Sequence, residues 1–131
     1  MSEDEIRFLT AEDVLTLHEL QIEMFGGSPG IRDQGLLESA VGQPQTSFGG
    51  EYFHHSLFEM AAAYAFHIAE NQPFVDGNKR SALAAALVFL DWHNIEIEDP
   101  SGELYRAMIH LAEKKLDKPG LARLLESLAK K

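Results

Sequence analysis

A chain of 131 residues is long enough for one compact domain and too short for two ordinary ones, so residues 1–131 are read as a single domain. With 21 acidic against 11 basic side chains, a formal charge of -10 and no cysteine, it excludes a disulfide framework and a thiolate metal site and argues against direct nucleic-acid binding, which needs a basic face. No stretch reads as a secretion signal, and the longest apolar run, Ala82 to Leu90, falls far short of a bilayer span, so a cytoplasmic location with no membrane partner is expected.

The predicted elements are helices joined by turns. Thr10 and Asp13 have capping-box spacing and open a helix to about Phe25, with Val14, Leu17, Ile22 and Met24 among its apolar positions; Gly26-Gly27-Ser28-Pro29-Gly30 ends it. Asp33 can cap a short helix holding Leu36, Leu37, Ala40 and Val41, which Pro44 closes. Gln43 to His55, with Phe48, Gly49, Gly50, Tyr52 and Phe53, reads as an exposed loop or flap. Ser56 and Glu59 make a second capping box, and Leu57, Met60, Ala61, Tyr64, Ala65 and Ile68 share one face of the helix that follows. From Asn78 the rhythm Ala82, Leu83, Ala86, Leu87 and Leu90 has the spacing of a buried helical face. Ile95-Glu96-Ile97 is a short extended segment at best, and Ser101 to about Lys114 and Lys118 to about Ala129 complete about six helices. The fold class expected is all-α.

Histidines and acids read blandly. His54 and His55 are adjacent and would point apart, without a third spaced ligand for a metal, and are taken as loop residues; His18, His67, His93 and His110 read as satisfied structural histidines. Glu3, Asp4, Glu5, Glu12 and Asp13 read as a solvated face.

The segment Asn71-Gln72-Pro73-Phe74-Val75-Asp76-Gly77-Asn78-Lys79-Arg80-Ser81 carries the chemistry. Pro73 bars helix before it, Gly77 allows positive φ, and the first free N–H groups of the helix from Asn78 would point into the loop with the positive end of the dipole behind them. Lys79 and Arg80 add charge, and Asp76 is a hard oxygen ligand of the kind Mg2+ accepts. Phe74 reads as a core plug that fixes the loop backbone. The plain alternative is a solvated helix start with Asp76 as N-cap. No glycine stands where a Walker loop would need one, so residue chemistry alone reaches a nucleotide-phosphate loop and leaves the two readings open.

The segment resembles the signature of the Fic/Doc (Fido) superfamily, commonly His-Pro-Phe-x-(Asp/Glu)-Gly-Asn-(Gly/Lys)-Arg, and Lys79 places it with the death-on-curing branch. Leu17-His18, Gly26-Gly27, Gly30-Ile31-Arg32-Asp33, Gly35 to Val41, Pro44-Gln45 and the alanine-rich run from Ala61 are similar to that branch too. The resemblance implies a single Fido-fold helical domain with a short flap. It implies that Asp76 holds Mg2+, that Gly77 and Asn78 bring main-chain and side-chain donors to the phosphates of ATP, and that Lys79 and Arg80 neutralise them. Leu83 stands where the Fic branch has a second arginine, which with Lys79 implies a nucleotide presenting its γ-phosphate, hence phosphorylation of a protein hydroxyl rather than adenylyl transfer. The target implied is a threonine of elongation factor Tu, and the implied role is the toxin of a bacterial toxin-antitoxin pair.

One position departs. Gln72 stands where the family has its histidine base, and a carboxamide has no basic lone pair near neutral pH. Three readings stay open: an attenuated enzyme, a silent module that binds nucleotide or antitoxin, and a chain inactivated at one position so that a toxic protein can be made. Ser47-Phe48-Gly49-Gly50-Glu51-Tyr52 lacks the form of a self-inhibitory helix, so control is expected from an antitoxin whose tail folds as a helix in an apolar groove. Segment 43–55 is expected to wall the cleft over the signature loop.

Overall fold

The computed structural model describes residues 5–130, so the acidic Glu3 and Asp4 lie outside it. The described chain is all-α apart from one tiny hairpin: α1 (Ala11–Phe25), α2 (Gln34–Gly42), a 3-10 turn (Gln43–Gln45), β1 (Ser47–Phe48), β2 (Glu51–Tyr52), α3 (Leu57–Asn71), α4 (Asn78–Trp92), α5 (Glu103–Ala112) and α6 (Lys118–Leu128).

Local chemistry sets the helix starts. The capping box of α1 is complete, the Thr10 hydroxyl accepting from Asp13 N–H and the Asp13 carboxylate accepting from Thr10 N–H. The second box is different. Ser56 caps Glu59 N–H, but the Glu59 carboxylate takes the N–H of His55, one residue earlier than the motif requires. Asp33 and Asp117 cap α2 and α6, and α5 starts at Gly102 with Asp99 accepting from both Glu103 and Leu104 N–H.

The antiparallel pair α3 and α4 forms the centre. Alanines 61, 62, 63 and 65 of α3 and 82, 85 and 86 of α4 are fully buried, and their small side chains let the backbones approach closely around Tyr64, Ile68, Phe89 and Leu90. Helices α1, α2, α5 and α6 pack round this pair. The inward face of α4 carries Ser81, Ala82, Ala85, Ala86, Phe89 and Leu90, so Leu83 and Leu87, expected inside, stand only half-buried at its edge. Met24, expected among the apolar positions of α1, is exposed, as is its neighbour Phe25.

The flap is the two-residue hairpin β1–β2, turned by Gly49 and Gly50, both at positive φ. Ile97 makes an isolated bridge to Ala129.

Candidate functional site

Helix α3 ends where its sequence stops allowing it. Gln72 takes a left-handed conformation at φ 46° and ψ 57°, its N–H still bonded to Ile68 O, and Pro73 cannot extend the helix. Phe74 then turns inward, 1% exposed, and its ring stacks on His18 at 3.8 Å with 4° between the planes. His18, itself fully buried, donates its Nε2–H to the carbonyl of Asp76 at 2.8 Å. Its Nδ1 is buried without a partner, so the expectation of a satisfied histidine fails at that atom.

Asn78 staples the loop. Its Oδ1 accepts from Phe74 N–H and its Nδ2 donates to Phe74 O, both at 3.0 Å. The carboxamide therefore spends its main bonds on the turn, and what Asn78 offers to a ligand is its backbone N–H. Gly77 is the N-cap of α4 at φ 74°, where a Cβ would stand 3.2 Å from Ile22 Cδ1.

The structure rejects Asp76 as N-cap: no side chain caps α4. Instead the Asp76 carboxylate accepts from Ser28 N–H at 3.2 Å and from Gly77 N–H at 2.8 Å, which in that order hold its pKa below the usual carboxylate value, with Arg80 adding to the shift.

The segment before α2 does what no local pattern announced. It runs antiparallel to the loop: Val75 N–H bonds to Gly30 O, Arg32 and Asp33 N–H both bond to Pro73 O, and Ile31 bridges Phe74. The Arg32 guanidinium donates to the carbonyls of Gln72 at 2.8 Å and Asn71 at 2.9 Å, closing the open C-terminus of α3. Gly27, at φ 115°, suits this close approach, since a Cβ there would sit 2.8 Å from Asp76 Oδ2 and the carboxylate would have to shift. Residue chemistry gave Arg32, His18 and Ser28 no role in building the site, because each bonds a residue 39 to 58 positions away; for Leu17-His18 and Gly30-Ile31-Arg32-Asp33 the family resemblance was the only signal.

Gln72, Asp76, Gly77, Asn78, Lys79 and Arg80 all border one polar cavity of about 360 Å3, closed on its far side by Tyr105 and Ala112 of α5. The first helical bond is Ser81 N–H to Gly77 O, which leaves the N–H groups of Asn78, Lys79 and Arg80 free of intrahelical partners. Lys79 is exposed, and the Arg80 guanidinium lies 4.8 Å over the ring of Phe25. No residue of segment 43–55 lines this cavity, so the expected flap wall is absent; Phe53 and His54 instead border a different cavity against α6. Tyr52 of the flap makes an edge contact with Phe8 at 5.5 Å. His54 is not a plain loop residue either, being 5% exposed.

The donor set fits a magnesium ion carried on phosphates. Asp76 is exposed, and each of its oxygens accepts one N–H and keeps a lone pair; among the described residues no three acidic or imidazole groups converge into an all-protein metal cage. One carboxylate with water and phosphate oxygens is the arrangement Mg2+ accepts.

Comparisons with known proteins agree with this architecture. The model of the Fic/DOC family matches residues 8–90. The chain is 41% identical over 90 residues to Toxin Doc of Mycolicibacterium smegmatis, covering 69% of this chain and 67% of that protein. It is 35% identical over 94 residues to Protein kinase doc of Escherichia phage P1, covering 72% of this chain and 74% of that protein. With the signature turn, the helical frame and these relatives in agreement, the chain belongs to the Fic/DOC family, on its Doc branch.

Proposed function

We propose that this chain is the toxin of a bacterial toxin-antitoxin pair, transferring the γ-phosphoryl group of ATP to a protein hydroxyl, with its rate attenuated at Gln72. The observation that carries this reading is the polar cavity at the start of α4, where three unpaired N–H groups, two cations and a tethered carboxylate converge. The names of the two relatives, a Doc toxin and a protein kinase, support the class.

In this reading Asp76 holds the metal on the phosphates, the N–H groups of Asn78, Lys79 and Arg80 orient those phosphates, and Lys79 and Arg80 offset their charge. Bound Mg2+ supplies further charge neutralisation to the transferring group. Gln72 stands where a base would take the hydroxyl proton and lacks the lone pair to do so, so the proton leaves to water. Loss of such a base costs on the order of a hundred- to ten-thousand-fold in rate. The target proposed is a threonine of elongation factor Tu, whose modification would inhibit translation. Adenylyl transfer is disfavoured because Leu83, in the place of a second arginine, faces an apolar groove rather than the phosphate cavity.

That groove suits the antitoxin. Met24 and Phe25 of α1, Leu83 and Leu87 of α4 and Tyr105 of α5 line it, and Met24 and Phe25 are more than half exposed. An amphipathic helix laid into it would cover apolar surface directly beside Arg80, which borders both the groove and the phosphate cavity. A second reading, a silent module that binds nucleotide or antitoxin without chemistry, is favoured by Gln72 itself. Elongation factor Tu incubated with the chain and ATP labelled at the γ or the α position separates the readings. Label from the γ position alone supports phosphorylation, label from the α position supports adenylylation, and none with intact ATP binding supports the silent module.

A further inference from the structure

We propose that the cavity between the flap and α6 is a second ligand site, one that takes a small carboxylate with an apolar body. The cavity is about 270 Å3; Phe53, Phe58 and Pro119 form its apolar wall, and the cations Lys118 and Arg123 share its border with the carboxylates of Glu59 and Glu126. It lies apart from the phosphate cavity and shares no residue with it.

Its polar groups are unbalanced. Lys118 Nζ donates to His67 Nε2 at 3.0 Å and sits 5.5 Å from the ring of Phe66. That bond leaves His67 neutral, with its hydrogen on Nδ1. Among the described residues Lys118 has no carboxylate partner, whereas Lys114 and Lys115 each have one and Lys130 has two. His54 is 5% exposed, and among the described residues neither of its ring nitrogens has a hydrogen-bond partner. Such orphaned buried groups are rare in folded proteins.

Among the described residues the two acids that border the cavity form no ion pair with Lys118. Glu59 of α3 is occupied by the N–H of His55 and the hydroxyl of Ser56, Glu70 of α3 by Lys114, and Glu126 stands exposed on α6. Burial, followed by the charge of Lys118, depresses both imidazoles, His67 to about 4, and burial depresses Lys118 too. With both imidazoles neutral, the charge left in this cluster is that of Lys118, which forms no ion pair among the described residues. A bound carboxylate would accept from the two remaining N–H groups of Lys118 and relieve the cluster. The lining chooses among anions: Phe53, Phe58, Pro119 and Ala122 favour an apolar body and disfavour a fully hydrated ion such as phosphate.

The test uses the whole folded chain and phenylacetate as probe, with phenylacetamide and inorganic phosphate as separate arms, read by ring signals of His54 and His67 in NMR titrations. Phenylacetate is expected to shift both rings saturably below about 10 mM, a range open to weak small ligands. The amide and phosphate should not saturate. Bound probe should raise the pH at which His67 titrates, and affinity should climb as pH falls from 8 to 5. Lys118→Met should weaken binding at least about tenfold, the scale of a lost charge-assisted hydrogen bond, and Asp76→Ala should leave it unchanged. The proposal is overturned if wild-type rings show no saturable shift, if acid and amide bind alike, if phosphate competes equally, or if Lys118→Met binds as wild type does.

Discussion

Gln72 pairs an unfavourable backbone with the wrong group for proton transfer. A non-glycine residue at φ 46° costs about 1–2 kcal/mol over ordinary conformations, and histidine tolerates that region better than glutamine. Gln72→His should therefore fold at least as well and raise phosphoryl transfer on the order of a hundredfold or more, the gain fading as pH drops below the imidazole pKa. Initial rates with γ-labelled ATP across pH 5.5 to 8.5 check this, and equal rates for the two chains would remove Gln72 from the base position. Binding should divide differently from chemistry. Asp76→Ala and Lys79→Ala should each lower Mg-ATP affinity, while Gln72→Ala leaves it nearly unchanged; calorimetric titration of the three variants decides. Asn78→Ala strips Phe74 of both main-chain partners and should cost about 1–3 kcal/mol in denaturant unfolding, so it belongs with the structural variants.

At the scale of elements, the site is a junction of two loops rather than one. Removing Arg32 opens the C-terminus of α3 at two carbonyls, so Arg32→Ala should lose about 1 kcal/mol of stability, a figure held low by its exposure, and should weaken Mg-ATP binding without touching the signature residues. The contact of α3 with α6 predicts a pH dependence. His67 titrates near 4 when folded and near 6.5 when unfolded, so the unfolded chain binds more protons between those values. Its contribution is present above pH 6.5 and lost as pH falls toward 4. Thermal midpoints should fall through that window, less steeply in His67→Gln. Much of the element plan was legible in the sequence because caps and periodicity are local: Thr10 with Asp13, Asp33 and the Pro73–Gly77 turn mark boundaries within a residue or two of those seen. The ladder from Gly30 to Asp33 was not, since main-chain pairing between distant segments leaves no residue pattern. Leu83 and Leu87 misled for a related reason: helical spacing shows which residues share a face, not whether a neighbouring helix covers it.

Across the whole molecule, the phosphate loop stands on the α3–α4 pair, and the seven buried alanines set how closely those helices approach. Lys79 and Asp76 sit outside this contact, exposed at its end. Stability and affinity should consequently separate for surface variants and move together for packing variants. Ala85, fully buried on α4, offers the cleanest case because it touches no ligand group and lines none of the described cavities bordering the loop. Ala85→Leu inserts three carbons at a fully buried position of the helix contact, which should force the helices apart at a cost of about 1–3 kcal/mol. Spreading them shifts Asn71 against Asn78 and so the turn that Asn78, His18 and Arg32 hold. Measured well below its unfolding midpoint, where the folded form dominates, Ala85→Leu should bind Mg-ATP several-fold more weakly than wild type. Lys79→Ala should lose comparable affinity with its midpoint unchanged. An Ala85→Leu chain that unfolds early yet binds at full strength would show the ladder from Gly30 to Asp33, not the helix pair, to be what fixes the phosphate loop.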